Sequence, residues 1–293
     1  MQNFGISAAL VTPFNDRGEV DTQSLVYHAK AVFGLGADSI TVFGTTGEGA
    51  SIGQNERQKC LDALFSKGVD PNKVVVGLCA TSVEDLLTQA DAATSRGVMQ
   101  LLMPPPFYFK DVEDNALFDW FSDAVSRLAK DVQVILYHIP QVTGIPLSID
   151  LVQRLQTAFP VQIKGIKDSS GSWSNTVALL NETSLAVLVG DERQLAKASK
   201  LGCAGSICGL ANVVPLRLRA MLDSGAEDAE INALVEKVVS HPVTPAIKSL
   251  VSILHDDKSW RRVRAPFTET PDTVVAEFYP AMSAVTQNEL KGL

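Results

Sequence analysis

The alternation of short apolar segments with longer amphipathic segments constrains this chain more than any other feature. A short apolar run predicts a buried strand, and apolar residues at helical spacing predict a helix that covers it. Eight such pairs follow one another between residues 6 and 222. The predicted strands span residues 6–14, 39–43, 73–79, 99–103, 132–138, 162–167, 185–190 and 205–209. The predicted helices span residues 21–33, 54–66, 83–96, 115–128, 148–158, 172–180, 192–200 and 213–222.

Eight strand and helix pairs predict an α/β fold, the closed (β/α)8 TIM barrel, in which parallel strands form the barrel and helices surround it. A doubly wound open sheet is the alternative, but the Gly-x-Gly-x-x-Gly motif usual after its first strand is missing. Beyond residue 225 the strand signal disappears, and helices are predicted at 231–239, 245–254 and 274–290. We therefore expect a barrel over residues 1–225 and a C-terminal helical extension over residues 226–293 that packs on it.

The charge and the side-chain inventory exclude several classes of function. Nonspecific binding to nucleic acid needs a basic surface, which the net charge of −8 and the pI of about 5.1 argue against. No segment predicts a membrane-spanning helix, and the first residues do not resemble a secretory signal, so a cytoplasmic location is expected. The four cysteines are scattered and predict buried free thiols, and the four histidines form no HExxH pattern, so no metal site is expected.

Lys167 ends the sixth predicted strand, which is an unusual place for a lysine. Side chains alternate between the faces of a strand, so Ile163, Gly165 and Lys167 are expected on the same face. If that face is the barrel interior, the charged form of the amine is costly there, which favours a nucleophilic role. The alternative is a lysine whose stem packs while its amine reaches solvent.

Tyr137 ends the preceding predicted strand, thirty residues before Lys167. That separation is one strand and helix unit, so the two side chains are expected on neighbouring strands, roughly 5 Å apart. Alternation places His138 on the opposite face, toward the helices. Tyrosine alone is more often a core residue, but beside a buried lysine it is a candidate for proton transfer.

A glycine-rich loop, Gly44-Thr45-Thr46-Gly47-Glu48, follows the second predicted strand. The backbone N–H groups of Thr45 and Thr46 are candidates for holding an anion such as a carboxylate, although an ordinary turn is the alternative. The Gly-Lys-Ser/Thr ending of a phosphate-binding P-loop is absent. Glu48 has no obvious partner in the sequence and is interpreted as structural.

An amine, a phenol and a carboxylate cradle suffice for one kind of chemistry. The amine condenses with a 2-oxo acid, the cradle holds the carboxylate, and the phenol moves protons. The resulting iminium withdraws electrons, so that a neighbouring C–C bond can break or form. The set therefore requires no organic cofactor and no metal.

The residues of this set lie in three motifs, GTTGEG at 44–49, LYHIP at 136–140 with TG at 143–144, and GIKDSSG at 165–171. Through them the chain resembles the dihydrodipicolinate synthase / N-acetylneuraminate lyase family of class I, Schiff-base-forming pyruvate aldolases. The similarity runs across residues 5 to 225, and the helical tail also fits. The resemblance implies a lyase that acts on pyruvate or another 2-oxo acid and an aldehyde, and a homotetramer built as a dimer of dimers.

The same resemblance assigns roles to individual residues. It implies that Lys167 is the Schiff-base lysine, that Tyr137 relays protons, and that Thr45 and Thr46 bind the carboxylate. It also implies that Thr46 joins the proton relay, together with Tyr108 from a neighbouring subunit. Gly190 and Ile207 match positions that line the pyruvate pocket.

The chain departs from the family pattern on the side of the second substrate. Synthases place an arginine two residues after the proline of the tyrosine motif, and here that position is Val142. An apolar side chain cannot replace a bidentate contact to a carboxylate. At the effector positions of lysine-inhibited synthases the chain has Phe107, Gln54 and Arg57, so lysine feedback is not expected.

These observations leave four hypotheses open. The first is an aldolase whose aldehyde is not aspartate semialdehyde, with a 2-keto-3-deoxy sugar acid as the substrate or product. The second is the synthase of lysine biosynthesis, 4-hydroxy-tetrahydrodipicolinate (dihydrodipicolinate) synthase, with another carboxylate partner in place of the arginine. The third is a dehydratase of a 2-keto-3-deoxy sugar acid, and the fourth is a noncatalytic barrel that senses a 2-oxo acid.

Overall fold

Eight parallel strands close a barrel in the order of the sequence, which confirms the predicted (β/α)8 fold. The computed structural model describes Met1 and residues 3–286. The strands are β1 Gly5–Ala9, β2 Ser39–Val42, β3 Val74–Gly77, β4 Gln100–Met103, β5 Gln133–His138, β6 Ile163–Asp168, β7 Ala186–Val189 and β8 Gly205–Cys208.

Helices follow every strand and surround the barrel. They are α1 Thr22–Gly34, α2 Gln54–Ser66, α3 Val83–Thr94, α4 Asp114–Ser126, α5 Pro140–Thr143, α6 Ile149–Ala158, α7 Trp173–Glu182, α8 Leu195–Ser199, α9 Pro215–Ser224, α10 Ala229–Val239, α11 Val243–Leu254 and α12 Asp272–Thr286. Residues 287–290 of the last predicted helix lie outside the described residues.

Polar residues at the helix starts explain several boundaries. The Asp21 carboxylate accepts hydrogen bonds from the backbone N–H groups of Gln23 and Ser24, which begins α1. Ser82 and Ser148 cap α3 and α6 in the same way. Each of these oxygens satisfies N–H groups that have no partner within the helix.

The core has two layers, as expected when side chains alternate along each strand. One face of the strands packs against the helices in a large apolar layer. The other face fills the barrel interior. The interior residues include Ala9, Val75, Leu102, Ile135, Tyr137, Ala186, Leu188 and Ile207.

The first strand is shorter than its apolar run suggested. β1 ends at Ala9, whereas a strand was expected from Ile6 to Phe14. The N–H of Val11 donates to Asn212 Oδ1 at 3.2 Å, and Phe14 forms only an isolated bridge with Val20. The apolar residues after β1 are therefore buried in a connection, and burial alone does not distinguish that connection from a strand.

A bulge in β6 changes which side chains of that strand point into the barrel. Val134 pairs with Ile163 and Ile135 pairs with Gly165, so Lys164 has no partner in the ladder. Ile163 consequently packs in the outer layer, on the opposite face from Lys167. The expectation that Ile163 shares a face with Lys167 was wrong because the extra residue shifts the alternation by one.

Two glycines pair in the ladder between β1 and β8 that closes the barrel. Gly5 of β1 pairs with Gly205 of β8. A Cβ on Gly205 would lie 2.0 Å from the Gly5 carbonyl oxygen, and its φ is +147°. Only glycine fits this backbone approach.

Candidate active site

A cavity of about 400 Å³ opens at the carboxyl ends of the strands. Its walls come from the ends of β5 to β8, from the loop after β2 and from α10 and α11. The residues of the predicted set that line it are Thr45, Thr46, Tyr137, Lys167, Gly190 and Ile207. The cavity therefore contains six of the seven site residues predicted from the sequence.

Lys167 and Tyr137 meet in this cavity. They are direct partners across the β5–β6 ladder, and the Lys167 amine donates a hydrogen bond to the Tyr137 hydroxyl at 3.1 Å. The amine also lies 4.3 Å from the centre of the tyrosine ring. Both residues are buried, with 5% and 4% of their surface exposed. The interpretation of Lys167 as a lysine whose amine reaches solvent is therefore wrong.

The threonine that contacts the phenol is Thr45. Its hydroxyl lies 3.2 Å from the Tyr137 hydroxyl, so Thr45, Tyr137 and Lys167 form one hydrogen-bonded chain. The resemblance had placed Thr46 in that relay. Thr46 instead lines the cavity beside it. The two threonines are neighbours in the sequence, and only the course of the backbone decides which of them reaches the phenol.

The turn after β6 holds Lys167 in place through its neighbour Asp168. The Asp168 carboxylate accepts hydrogen bonds from the Ser170 N–H at 2.9 Å, the Asn175 amide at 3.0 Å and the Thr176 hydroxyl at 2.8 Å. These contacts tie the end of β6 to the start of α7. The lysine is thus presented from a rigid strand rather than from a mobile loop.

His138 faces the helix layer, as alternation predicted. Its Nδ1 accepts a hydrogen bond from the backbone N–H of Leu147 at 3.0 Å, which requires that nitrogen to be unprotonated. Burial lowers the pKa of His138, and the charge of Asp168 only partly offsets that effect. His138 therefore supports the backbone after β5 and stays outside the cavity.

Gly190 and Ile207 also line the cavity. A Cβ on Gly190 would lie 2.0 Å from the Ser169 hydroxyl oxygen, so a larger residue would displace the turn after the lysine strand. Ile207 lies in β8 and is fully buried.

Tyr108 is not in the cavity of its own chain. It lies in the loop after β4 with 79% of its surface exposed, beside an open groove that Cys79 and Phe107 also line. The contribution of Tyr108 to the site of a neighbouring subunit stays a prediction.

Arg57 has a different environment from the one expected of an effector position. Its guanidinium is buried and donates to the carbonyl oxygens of Ile52, Gly49 and Gly77 at 3.2, 2.8 and 2.8 Å. Burial lowers its pKa to about 10. These contacts make Arg57 a structural residue beneath the threonine loop.

Glu192 and Cys208 line the cavity, and sequence reasoning missed both. Glu192 Oε1 accepts a hydrogen bond from the Leu210 N–H at 2.8 Å. Burial raises the pKa of the Glu192 carboxyl and that of the Cys208 thiol. The sequence offered a signal for Glu192, because it follows the end of β7, where barrel residues face the site.

The outer part of the cavity has one polar and one apolar side. On the polar side, Arg193 binds Asp191 through two hydrogen bonds of 3.0 and 2.8 Å, and Gln141 donates to the Ser169 carbonyl. The apolar side is formed by valines and one isoleucine of α10 and α11. They are Val235, Val238, Val239, Val243 and Ile247.

The described part of the chain offers neither a cluster of metal ligands nor a membrane-spanning helix. Among Met1 and residues 3–286, no three His, Cys, Asp or Glu side chains are grouped so that they could hold a metal ion. In the same part of the chain, every helix is too short or too polar to cross a membrane.

Comparison with known proteins identifies relatives along the whole chain. The profile of the dihydrodipicolinate synthetase family matches residues 2–284. A Chloroflexus aurantiacus protein, named an uncharacterized DapA-like lyase, is 31% identical over 86% of this chain and 87% of its own length. The 4-hydroxy-tetrahydrodipicolinate synthase of Porphyromonas gingivalis is 32% identical over 72% of this chain and 70% of its own length.

A solved structure extends the comparison to three dimensions. The crystal structure of dihydrodipicolinate synthase from Agrobacterium tumefaciens superposes with a TM-score of 0.93 and 43% sequence identity. The match covers 96% of this chain and 99% of that one. The similarity therefore includes the barrel and the helices that follow it.

Proposed function

The chain belongs to the dihydrodipicolinate synthetase family and is an enzyme of that family, and from this premise we propose that it is a class I aldolase whose Lys167 forms a Schiff base. The proposed ligand of the lysine is pyruvate or a 2-keto-3-deoxy acid. The observation that carries the proposal is the buried chain of hydrogen bonds from Lys167 through Tyr137 to Thr45. It joins a nucleophile to a group that can pass protons.

The chemistry in the cleavage direction follows from these three residues. The Lys167 amine attacks the keto carbon, and loss of water gives an iminium. When the hydroxyl on the carbon beyond the scissile bond gives up its proton, that bond breaks and its electrons move into the iminium to form an enamine. The aldehyde leaves, the enamine takes up a proton at carbon, and water releases pyruvate. In this proposal the Tyr137 hydroxyl moves the protons, with Thr45 orienting it.

Trapping with borohydride tests the Schiff base directly. In the presence of pyruvate, reduction is expected to add one pyruvyl group to Lys167, detected by peptide mass spectrometry. Lys167→Met should abolish the adduct. Lys164→Met is the matched control, because Lys164 donates to the Pro160 carbonyl and lies outside the cavity. A folded wild-type protein that gives no adduct would refute the proposal.

We propose further that the aldehyde carries no carboxylate, so that the carboxylate of the 2-oxo acid is the only one in the site. Val142 lines the cavity where the synthases are expected to have an arginine, and Arg193 already binds Asp191 with both prongs of its guanidinium. The polar side of the outer cavity thus offers a neutral ion pair and an amide. These groups suit the hydroxyls of a 2-keto-3-deoxy sugar acid, which can both donate and accept hydrogen bonds.

The synthase reaction of lysine biosynthesis is the second candidate. It is favoured by Arg193, which lies in the cavity and could exchange Asp191 for the carboxylate of aspartate semialdehyde. An assay of pyruvate with aspartate semialdehyde, run beside cleavage and dehydration of several 2-keto-3-deoxy acids, separates the candidates. Aldol cleavage or dehydration should exceed synthase turnover. Strong synthase activity that is lost in Arg193→Met would reverse the assignment.

We propose that a homotetramer, built as a dimer of dimers, completes the site with Tyr108. The exposure of Phe107, Tyr108 and Phe109 in one loop supports a surface that another copy covers. Mixing provides the test, because Tyr108→Phe and Lys167→Met should each be nearly inactive alone. If Tyr108 acts in the neighbouring subunit, refolding the two variants together should restore part of the activity. No recovery in mixed oligomers would contradict this arrangement.

A further inference from the structure

The loop that carries Thr45 and Thr46 is strained at both of its ends. Phe43 before it and Glu48 near its end have φ values of 60° and 54°, which non-glycine residues rarely adopt. Such conformations persist only where surrounding contacts over-determine them. The contacts that hold this loop should therefore determine where Thr45 and Thr46 lie.

Lys248 of α11 makes the strongest of these contacts. Its amine lies 2.7 Å from Glu48 Oε1 and 2.8 Å from the Thr12 carbonyl oxygen. Neither the Lys248 nor the Glu48 side chain has exposed surface. Glu48 Oε2 accepts a further hydrogen bond from the backbone N–H of Arg264 at 2.9 Å. The Glu48 carboxylate is thus held from two directions by the residues that follow the barrel.

The surroundings of Lys248 are those of a buried structural ion pair. Burial lowers the pKa of Lys248 to about 8, an effect that exceeds the opposing influence of Glu48. The amine also lies 4.3 Å from the centre of the Phe14 ring. Removing one member of so deeply buried an ion pair strongly destabilises the fold, because the other charge is then left buried without a partner.

The same helix contacts the threonine itself. Thr244, one turn before Lys248 in α11, donates its hydroxyl to the Thr45 carbonyl oxygen at 3.3 Å. From the other side of the loop, the Thr12 hydroxyl donates to the Gly47 carbonyl oxygen at 2.7 Å. Three consecutive parts of the loop are therefore attached to α11, directly or through Thr12.

We propose that Lys248 is a positioning residue of the active site, acting through Glu48 to hold Thr45 against Tyr137. The inference rests on the proposed function, because it concerns the carboxylate cradle for the 2-oxo acid. Lys248 does not line the cavity, and it lies 200 positions after Glu48 in the sequence. In this proposal α11, which follows the barrel, positions a substrate-binding loop in addition to packing against the barrel.

The test compares two variants with a matched control. Lys248→Met removes the amine, and the double variant Glu48→Gln/Lys248→Met removes the pair without leaving a buried charge. Arg261→Met is the control, since Arg261 is a buried cation of the same extension that contacts Asp272 and Thr270 and not the loop. Borohydride trapping at increasing pyruvate concentration measures the half-saturating concentration and the maximal rate, and circular dichroism reports folding.

The expected result is a separation of binding from overall stability. In the double variant the half-saturating pyruvate concentration should rise about tenfold, the effect of losing one hydrogen bond to a charged group, while the maximal trapping rate falls less. In Arg261→Met the half-saturating concentration should match the wild type at equal or greater loss of thermal stability. An adduct in the wild type together with an unchanged half-saturating concentration in the double variant would overturn the inference. No adduct in the wild type would instead refute the proposed function.

Discussion

Acidification should weaken the fold through one buried histidine, His28 of α1. Its Nε2 lies 3.1 Å from Asn212 Oδ1 and its Nδ1 lies 2.9 Å from the Nε2 of His255. Trp260 packs against both rings. Burial lowers the pKa of His28 to about 3, and the neighbouring His255 adds to the effect. The native protein therefore keeps His28 neutral at pH values where the unfolded chain protonates it.

The sign and size of the effect follow from proton linkage. A depressed native pKa contributes stability that is fully present above the unfolded pKa of 6.5 and is lost as pH falls toward about 3. Between pH 8 and pH 5 the loss from His28 is about 2 kcal/mol, with a further loss at lower pH. Burial also lowers the pKa of His255, so its contribution has the same sign.

Reversible urea unfolding of the wild type and of His28→Gln at several pH values measures this loss. Glutamine can keep a hydrogen bond to Asn212 but cannot titrate. The two proteins are compared first at pH 8, where His28 is neutral in both the native and the unfolded state. On lowering the pH to 5, the free energy of unfolding of the wild type should fall by about 2 kcal/mol more than that of the variant. Equal losses in the two proteins would refute the reasoning.

Three further predictions concern the site and its support. Tyr137→Phe should fold normally and lose about 10²- to 10⁴-fold in turnover, because the Lys167 amine loses its proton partner; a steady-state assay with less than tenfold loss would contradict the role. Gly49→Ala should lower the free energy of unfolding in urea by at least about 3 kcal/mol, because a Cβ there would lie 1.8 Å from a backbone oxygen. Gly53→Ala is the control and should lower it much less, because the nearest atom to a Cβ there is 3.7 Å away. Burial raises the pKa of the Cys208 thiol, so iodoacetamide at pH 8 should label it only after unfolding, and rapid labelling of native protein would count against that environment.

The fold could be predicted because its signals are local. Each strand and helix carries its own apolar period, and most of the predicted boundaries agree with the structure to within a few residues. α2 was predicted at residues 54–66 and spans Gln54–Ser66. The meeting of Tyr137 with Lys167 also followed from local pattern, since side-chain alternation and one strand and helix unit place them on adjacent strands.

The errors arose where one extra residue or one backbone turn decides the outcome. The bulge at Lys164 moved Ile163 to the outer layer. A glycine such as Gly165 often marks a bulge, but it does not fix the position at which the register shifts. In the glycine-rich loop, the choice between Thr45 and Thr46 as the partner of Tyr137 depends on backbone angles that two adjacent threonines do not reveal.

The contacts that could not be predicted join distant parts of the chain. Glu48 was interpreted as structural without a partner, and its partner Lys248 lies 200 positions later. His28 and His255 are separated by 227 positions. A single sequence holds no periodicity that links such positions, because their contact depends on how the final helices return to the start of the barrel.

The 200 positions between Glu48 and Lys248 matter for the order in which the protein is synthesised on the ribosome. At about 5 to 20 residues per second, roughly 10 to 40 seconds separate the emergence of the glutamate from that of its counter-ion. By the end of that interval the nascent chain contains Thr45, Tyr137 and Lys167, but it still lacks the lysine that contacts Glu48 in the folded protein. The buried contact between Glu48 and Lys248 can therefore form only after α11, one of the last two helices of the described chain, has been translated.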